Sequence, residues 1–374
     1  MAQTLSWRKG VAWALVAVLG AGAGAQAQAS QTLGYVIAGW REPAEPDLPD
    51  NVACPDGMQA GNEANFNAQF PTEEARKRQL SLYGTLDNRG PHGENVWFEP
   101  DSVTDPLPFK EVGSNIGIGL DLDGATNGAK VPPHRAHEEF VSPDGEQGID
   151  NQLYRVLGCQ KGYRKTGFFT GFNDNFIRDS YDNRILLEIT GVDDLKNDPD
   201  VDVGIYLGRS PLLRTGSGGV LPWQTQEVDP DTADYVHHLK GRITNGVLET
   251  VPQDIVWPVD FHGSEVRVRP YLFRDLRFRL TLSDDGATGL MGGYHDLNNW
   301  WAGYFKLTLG GAKLAGASAP TVWAAAKRYA DGYPDSKTGQ CTAISTAVSV
   351  SFVRVLIRHD AIALESTRSF EGMP

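Results

Sequence analysis

Cysteine is scarce: Cys54, Cys159 and Cys341 are the only three in 374 residues. They form no C-x-x-C and no C-x-x-C-H, so a thioredoxin-type redox motif and covalent c-type haem lose their support. G-x-S-x-G, the glycine-rich phosphate loop with its Lys, and G-x-G-x-x-G are missing as well. Serine-hydrolase, P-loop and dinucleotide readings therefore have no signature behind them. Past the N-terminus, no apolar run reaches the roughly 20 residues that span a bilayer as a helix. Basic residues are outnumbered, 34 Lys and Arg against 47 Asp and Glu, for a formal charge of −13. Such a chain is a poor partner for nucleic acid or anionic lipid heads, and a plausible one for cations.

The N-terminus carries a different pattern. Arg8 and Lys9 precede a short apolar stretch, Val11 to Gly20, and then a run of small residues ending near Ala27 and Ala29. Charge, apolar core and small-residue site in that order read as a cleavable secretory signal over residues 1–29, with Ser30 as the mature start. The expected location is the periplasm or the extracellular space. In an oxidising compartment two of the three cysteines should pair. Three pairings are open; Cys54 with Cys159 is expected, because both lie in loop-like sequence around an acidic region.

Apolar residues make up 40% of the chain and aromatics 10%, enough for a real core. The 42 Gly and 22 Pro are dispersed without a period. Dispersed turn residues between short apolar runs predict a mainly β protein. Strand-like alternation occurs at Asn115–Gly124, Arg184–Gly191, Val201–Gly208, around Val266 and Val268, and at Leu276–Leu282. Asn245-Gly246 between β-prone arms predicts a type I′ hairpin. These strands suggest an antiparallel β-sandwich or jelly roll over 111–310, with a loop-rich N-terminal layer at 30–110 and a partly helical C-terminal segment at 311–374. Thr72–Arg78 and Pro320–Ala330 read as helices. Cys341–Ile357 fits either a helical stripe or a strand, and the helix is preferred.

Asp121 and Asp123 are two apart on an extended segment, so both carboxylates leave one face. Asp144, Glu146 and Asp150 follow in a turn-rich loop. Hard oxygen ligands in glycine-containing loops suit Ca²⁺, so these five residues are a candidate calcium site. Solvated or Arg-paired acids are the competing reading. His134 and His137 could ligate a transition metal, although H-E-x-x-H is not present. The acidic run Asp193–Asp202 reads as a solvated turn.

A second candidate site lies at 292–304. There Tyr294, Trp300 and Trp301 stand among His295, Asp296 and Asn298. Flat rings beside polar groups suit a carbohydrate, a protein interface, or simply a core element. Arg267, Arg269, Arg277 and Arg279 would make a basic stripe on one sheet face. It could meet acidic parts of the same molecule or bind an anionic ligand through Arg277 and Arg279.

The expectation is an exported, calcium-stabilised binding protein with carbohydrate as a possible ligand. A polysaccharide-acting hydrolase or lyase, with His295 or an acid as general base, is the first alternative. A structural subunit of a surface assembly is the second.

Overall fold

The computed structural model describes residues 30–125, 137–169, 184–257, 271–305 and 316–359. The expected signal peptide, His134, and the pair Arg267 and Arg269 lie outside the described residues. Eleven strands are present among those described: β1 Gln31–Arg41, β2 Arg184–Val192, β3 Asn197–Gly208, β4 Thr225–Glu227, β5 His237–Thr244, β6 Val247–Thr250, β7 Gln253–Trp257, β8 Tyr271–Leu282, β9 Gly286–Asp296, β10 Gly332–Pro334 and β11 Cys341–Arg358. Eight of them pair antiparallel in the order β1-β2-β3-β5-β6-β8-β9-β11, and β11 pairs back onto β1. The sheet is thereby closed into a barrel. β7 adds to β8, while β4 and β10 add to β11.

Alternation decides which side chains enter the barrel. In β5, Leu239, Gly241 and Ile243 are buried while His238, Lys240 and Arg242 are exposed. In β8, Leu276, Phe278 and Leu280 point into the core, and Arg277 and Arg279 point out. Val203, Leu248, Ile255, Phe273 and Val348 are all fully buried in the same cluster. The interior is filled by side chains, as expected for eight strands. Each such residue contributes about 1.5–3 kcal/mol by leaving water. An apolar lumen with Asp202, Lys240, Arg242 and Arg279 on the outside is the reverse of a membrane barrel, which turns an apolar band outward. No described helix is long and apolar enough to cross a membrane.

The expected sandwich or jelly roll is therefore corrected to a closed barrel. Its closure comes from β1 and β11, aligned from Gly34 with Val355 to Arg41 with Ser349. These partners stand at opposite ends of the sequence, and local alternation is the same in a sandwich and a barrel. The barrel thus draws strands from the 30–110, 111–310 and 311–374 stretches alike. The expected helix at Cys341–Ile357 is also corrected: it is strand β11. Thr342, Ile344, Thr346, Val348, Val350, Val353 and Val355 are β-branched, and pairing with β1 and β9 on either side outweighs the helical stripe.

Other local expectations hold. Asn245 and Gly246 have φ of 52° and 79° and join β5 to β6, as a type I′ turn requires. Thr72 caps the helix Glu73–Tyr83 by accepting from the Ala75 N–H at 3.1 Å. The helix Ala319–Tyr329 carries Pro in its first turn. Cys54 and Cys159 form the disulfide, with Cα atoms 5.7 Å apart, and Cys341 stands outside it.

Candidate functional site

The Asn115–Gly124 segment is extended but is not a full strand. It makes isolated bridges from Ile116 to Val141 and from Leu120 to Asp150. Its glycines explain the close fit. A Cβ on Gly117 would stand 2.5 Å from the Phe140 ring, and one on Gly119 would stand 2.9 Å from the Asp150 carbonyl oxygen. On the other flank, Leu120 and Leu122 bury against Tyr294 and Ala343 of the barrel wall. With those leucines turned inward, Asp121 and Asp123 share the opposite side.

Asp121, Asp123 and Asp150 converge there, each with one carboxylate oxygen within 4.8 Å of the others. Asp123 is exposed, Asp121 is half-buried, and Asp150 is only 5% exposed. Backbone donors fix all three. Leu122 N–H donates to Asp150 Oδ2 at 2.7 Å, Gly124 N–H to Asp121 Oδ1 at 2.7 Å, and Ala125 N–H to Asp123 Oδ1 at 2.8 Å. Burial, and then the nearby Asp331, push the Asp150 carboxyl up to about 8. Asp331, which the sequence reading missed, is pushed up to about 7, first by burial and with Asp123 adding to it. It follows the Ala319–Tyr329 helix, with Asp335 as the nearest acid in sequence, and no local pattern ties it to Asp121, Asp123 and Asp150. Its Oδ1 accepts the Ser345 N–H at 2.7 Å, which anchors it to β11.

The other two expected calcium ligands stand apart from this group. Asp144 is exposed and accepts a hydrogen bond from Ser142 Oγ in its own turn. Glu146 is engaged by Arg279 through both guanidinium nitrogens, at 2.8–3.1 Å. Arg277 donates to the backbone carbonyls of Leu122, at 3.0 Å, and Asp121, at 3.4 Å. Thus Arg277 and Arg279 hold acidic loops of their own molecule against β8. His137 is half-buried; its Nε2 lies 3.3 Å from the Ala330 carbonyl, and burial lowers its pKa. The Asp193–Asp202 run is more ordered than a solvated turn: Asp198 is buried and accepts the N–H groups of Asp193 and Asp200.

The aromatic segment turns inward. Trp300 is fully buried and Trp301 is 6% exposed; both stack around Phe305, at 5.0 and 4.9 Å between centroids. Tyr294 packs edge-on to Tyr333. His295 is fully buried and hydrogen-bonds Glu42, another residue the sequence reading missed. Asp296 caps the short helix Leu297–Trp300 through the Asn299 N–H, at 3.0 Å. Asn298 alone among these six residues is exposed. The ring faces of Tyr294, Trp300 and Trp301 are spent on the core and on packing against it, so among the described residues this segment presents no sugar-sized aromatic platform.

No protein-family model, no curated protein and no solved structure matches this chain.

Proposed function

We propose that this is an exported binding protein, built on the β-barrel, in which a calcium ion clamps the acidic loops through Asp121, Asp123 and Asp150. The observation that carries the proposal is the convergence of three carboxylates from two chain segments within 4.8 Å. Among the described residues, no Lys or Arg makes an ion pair with any of the three, whereas Glu146 has Arg279. Burial first, and neighbouring like charges after it, raise the Asp121 and Asp150 carboxyls, and a hard cation relieves that repulsion. Three carboxylates with water supply the oxygen-rich, flexible set that Ca²⁺ accepts. Export is supported by the disulfide and by the charge, apolar and small-residue order of residues 1–29.

The carbohydrate ligand and the hydrolase or lyase alternative have less support. The first relied on the aromatic segment and the second on the Arg stripe with His295 or an acid as base; His295 has no exposed surface to meet a substrate, and Arg277 and Arg279 are engaged within the molecule. Equilibrium dialysis of the mature protein with radioactive calcium tests the proposal. One bound ion per chain, lost in Asp123→Asn, is expected. Equal calcium uptake by the wild type and that variant would refute it.

A further inference from the structure

A second site lies away from the acidic loops, at the end of β1. Trp40 faces the barrel interior, and the chain then turns through Glu42 and Pro43. Glu42 is 5% exposed. Its Oε1 takes two hydrogen bonds from the barrel side, one from His295 Nε2 and one from Thr346 Oγ1 at 3.1 Å. Its Oε2 is buried and, among the described residues, has no hydrogen-bond partner. A buried carboxylate oxygen left this way is costly unless something supplies a donor.

Glu42 also lines a pocket of about 250 Å³, together with Arg41, Glu45, Asp47, Tyr163, Lys165, Phe169 and Ser349. Since Oε1 is committed inside the barrel, Oε2 is the oxygen left for a ligand in this pocket. The other acids there have cations of their own: Arg164 lies 2.7 Å from Glu45, and Lys165 lies 3.0 Å from Asp47. Burial raises the Glu45 carboxyl even so. Tyr163 and Phe169 are buried rings packed 4.5 Å apart, and they form an apolar wall.

We infer that this pocket binds the ammonium head of a small organic cation, with Glu42 as its anchor and Tyr163 and Phe169 against its alkyl part. A bare metal ion fits less well. The three-carboxylate convergence that suits a metal occurs, among the described residues, at Asp121, Asp123 and Asp150, and it does not include Glu42 or Glu45. An ammonium supplies N–H donors to a single carboxylate oxygen and a charge that aromatic faces attract. The pocket is small for a drug-sized ligand, which restricts the class to short amines. The inference does not rest on the calcium site.

The test is calorimetric titration of the mature protein with n-butylammonium, beside n-butanol and sodium butyrate as neutral and anionic counterparts. Saturable binding of the ammonium alone is expected. Glu42→Gln should weaken it about tenfold or more, the loss of one charge-assisted contact. Because Glu42 is buried against His295, that variant could misfold, so Ser349→Phe is measured as well; Ser349 lines the pocket from β11, where it pairs with Arg41, and a ring there fills the pocket and leaves Glu42 in place. Loss of binding in Ser349→Phe, with an unchanged circular dichroism spectrum, supports the site. Failure of n-butylammonium to saturate, equal binding of n-butanol, or unaltered binding in Ser349→Phe would overturn it.

Discussion

Asp121 and Asp123 were legible in the sequence because a period of two puts neighbouring carboxylates on one face. Asp150 was legible as part of an acidic loop. Asp331 and Glu42 were not, because their neighbours in space come from distant strands. Asp144 and Glu146 looked equivalent to the true members of the cluster; only the structure shows that one serves its own turn and the other serves Arg279. A pH dependence follows at this scale. Asp150 and Asp331 hold protons up to about 8 and about 7 in the folded, metal-free chain, against roughly 3.9 when unfolded. Between those limits the native state binds more protons than the unfolded state, so stability falls as pH rises through the window. In EDTA, melting temperature should rise on acidification from about pH 8 to about pH 6. A melting temperature that falls over that range would show that these two carboxylates are not held in their protonated form.

Elements were more legible than their assembly. The Asn245-Gly246 turn and the Pro-started helix at Ala319 follow from local chemistry, and both formed where expected. Strand β11 did not announce itself, because Val348 and Phe352 satisfy a helical stripe and a strand equally well. Its identity is fixed by partners on both sides, which are tertiary facts. Gly246 offers a clean measurement, since a Cβ there would meet nothing within 4 Å yet φ is +79°. Gly246→Ala should cost about 1–2 kcal/mol in urea unfolding, purely through backbone conformation. No change would mean that the hairpin does not use this turn. The Cys54–Cys159 bond closes a loop of 105 residues and ties the Asp50–Ala53 helix to the Gln152–Leu157 helix. Replacing both cysteines by serine should cost roughly 2–5 kcal/mol. Unaltered stability of the double variant would place the two helices outside the cooperative unit.

For the whole molecule, composition already indicated a β-rich, acidic chain, but not its closure. Closure depends on one pairing between the first and last described strands, around an interior of buried apolar side chains. The same architecture favours the core-element reading of Trp300 and Trp301 over the binding platform. Rings beside polar residues look like a binding platform in one dimension, while in three dimensions Trp300, Trp301 and Phe305 pack against one another and against Trp97 and Trp323. What the barrel leaves to function is its outer layer, the acidic loops above all. There Arg277 and Arg279 on β8 hold the loops in place, and three carboxylates meet.

The central claim, calcium at Asp121, Asp123 and Asp150, is tested most directly by thermal melts of the mature protein. The melts are run in EDTA and then with Ca²⁺, Mg²⁺ or Zn²⁺ added back, beside the Asp121→Asn/Asp123→Asn variant. A cation that binds only the folded state stabilises it by about 2.7 kcal/mol at a hundred times its Kd. A rise in melting temperature specific to Ca²⁺ and absent from the variant is the predicted result. The same melting temperature with and without each metal, or a rise that persists in the variant, would contradict the account.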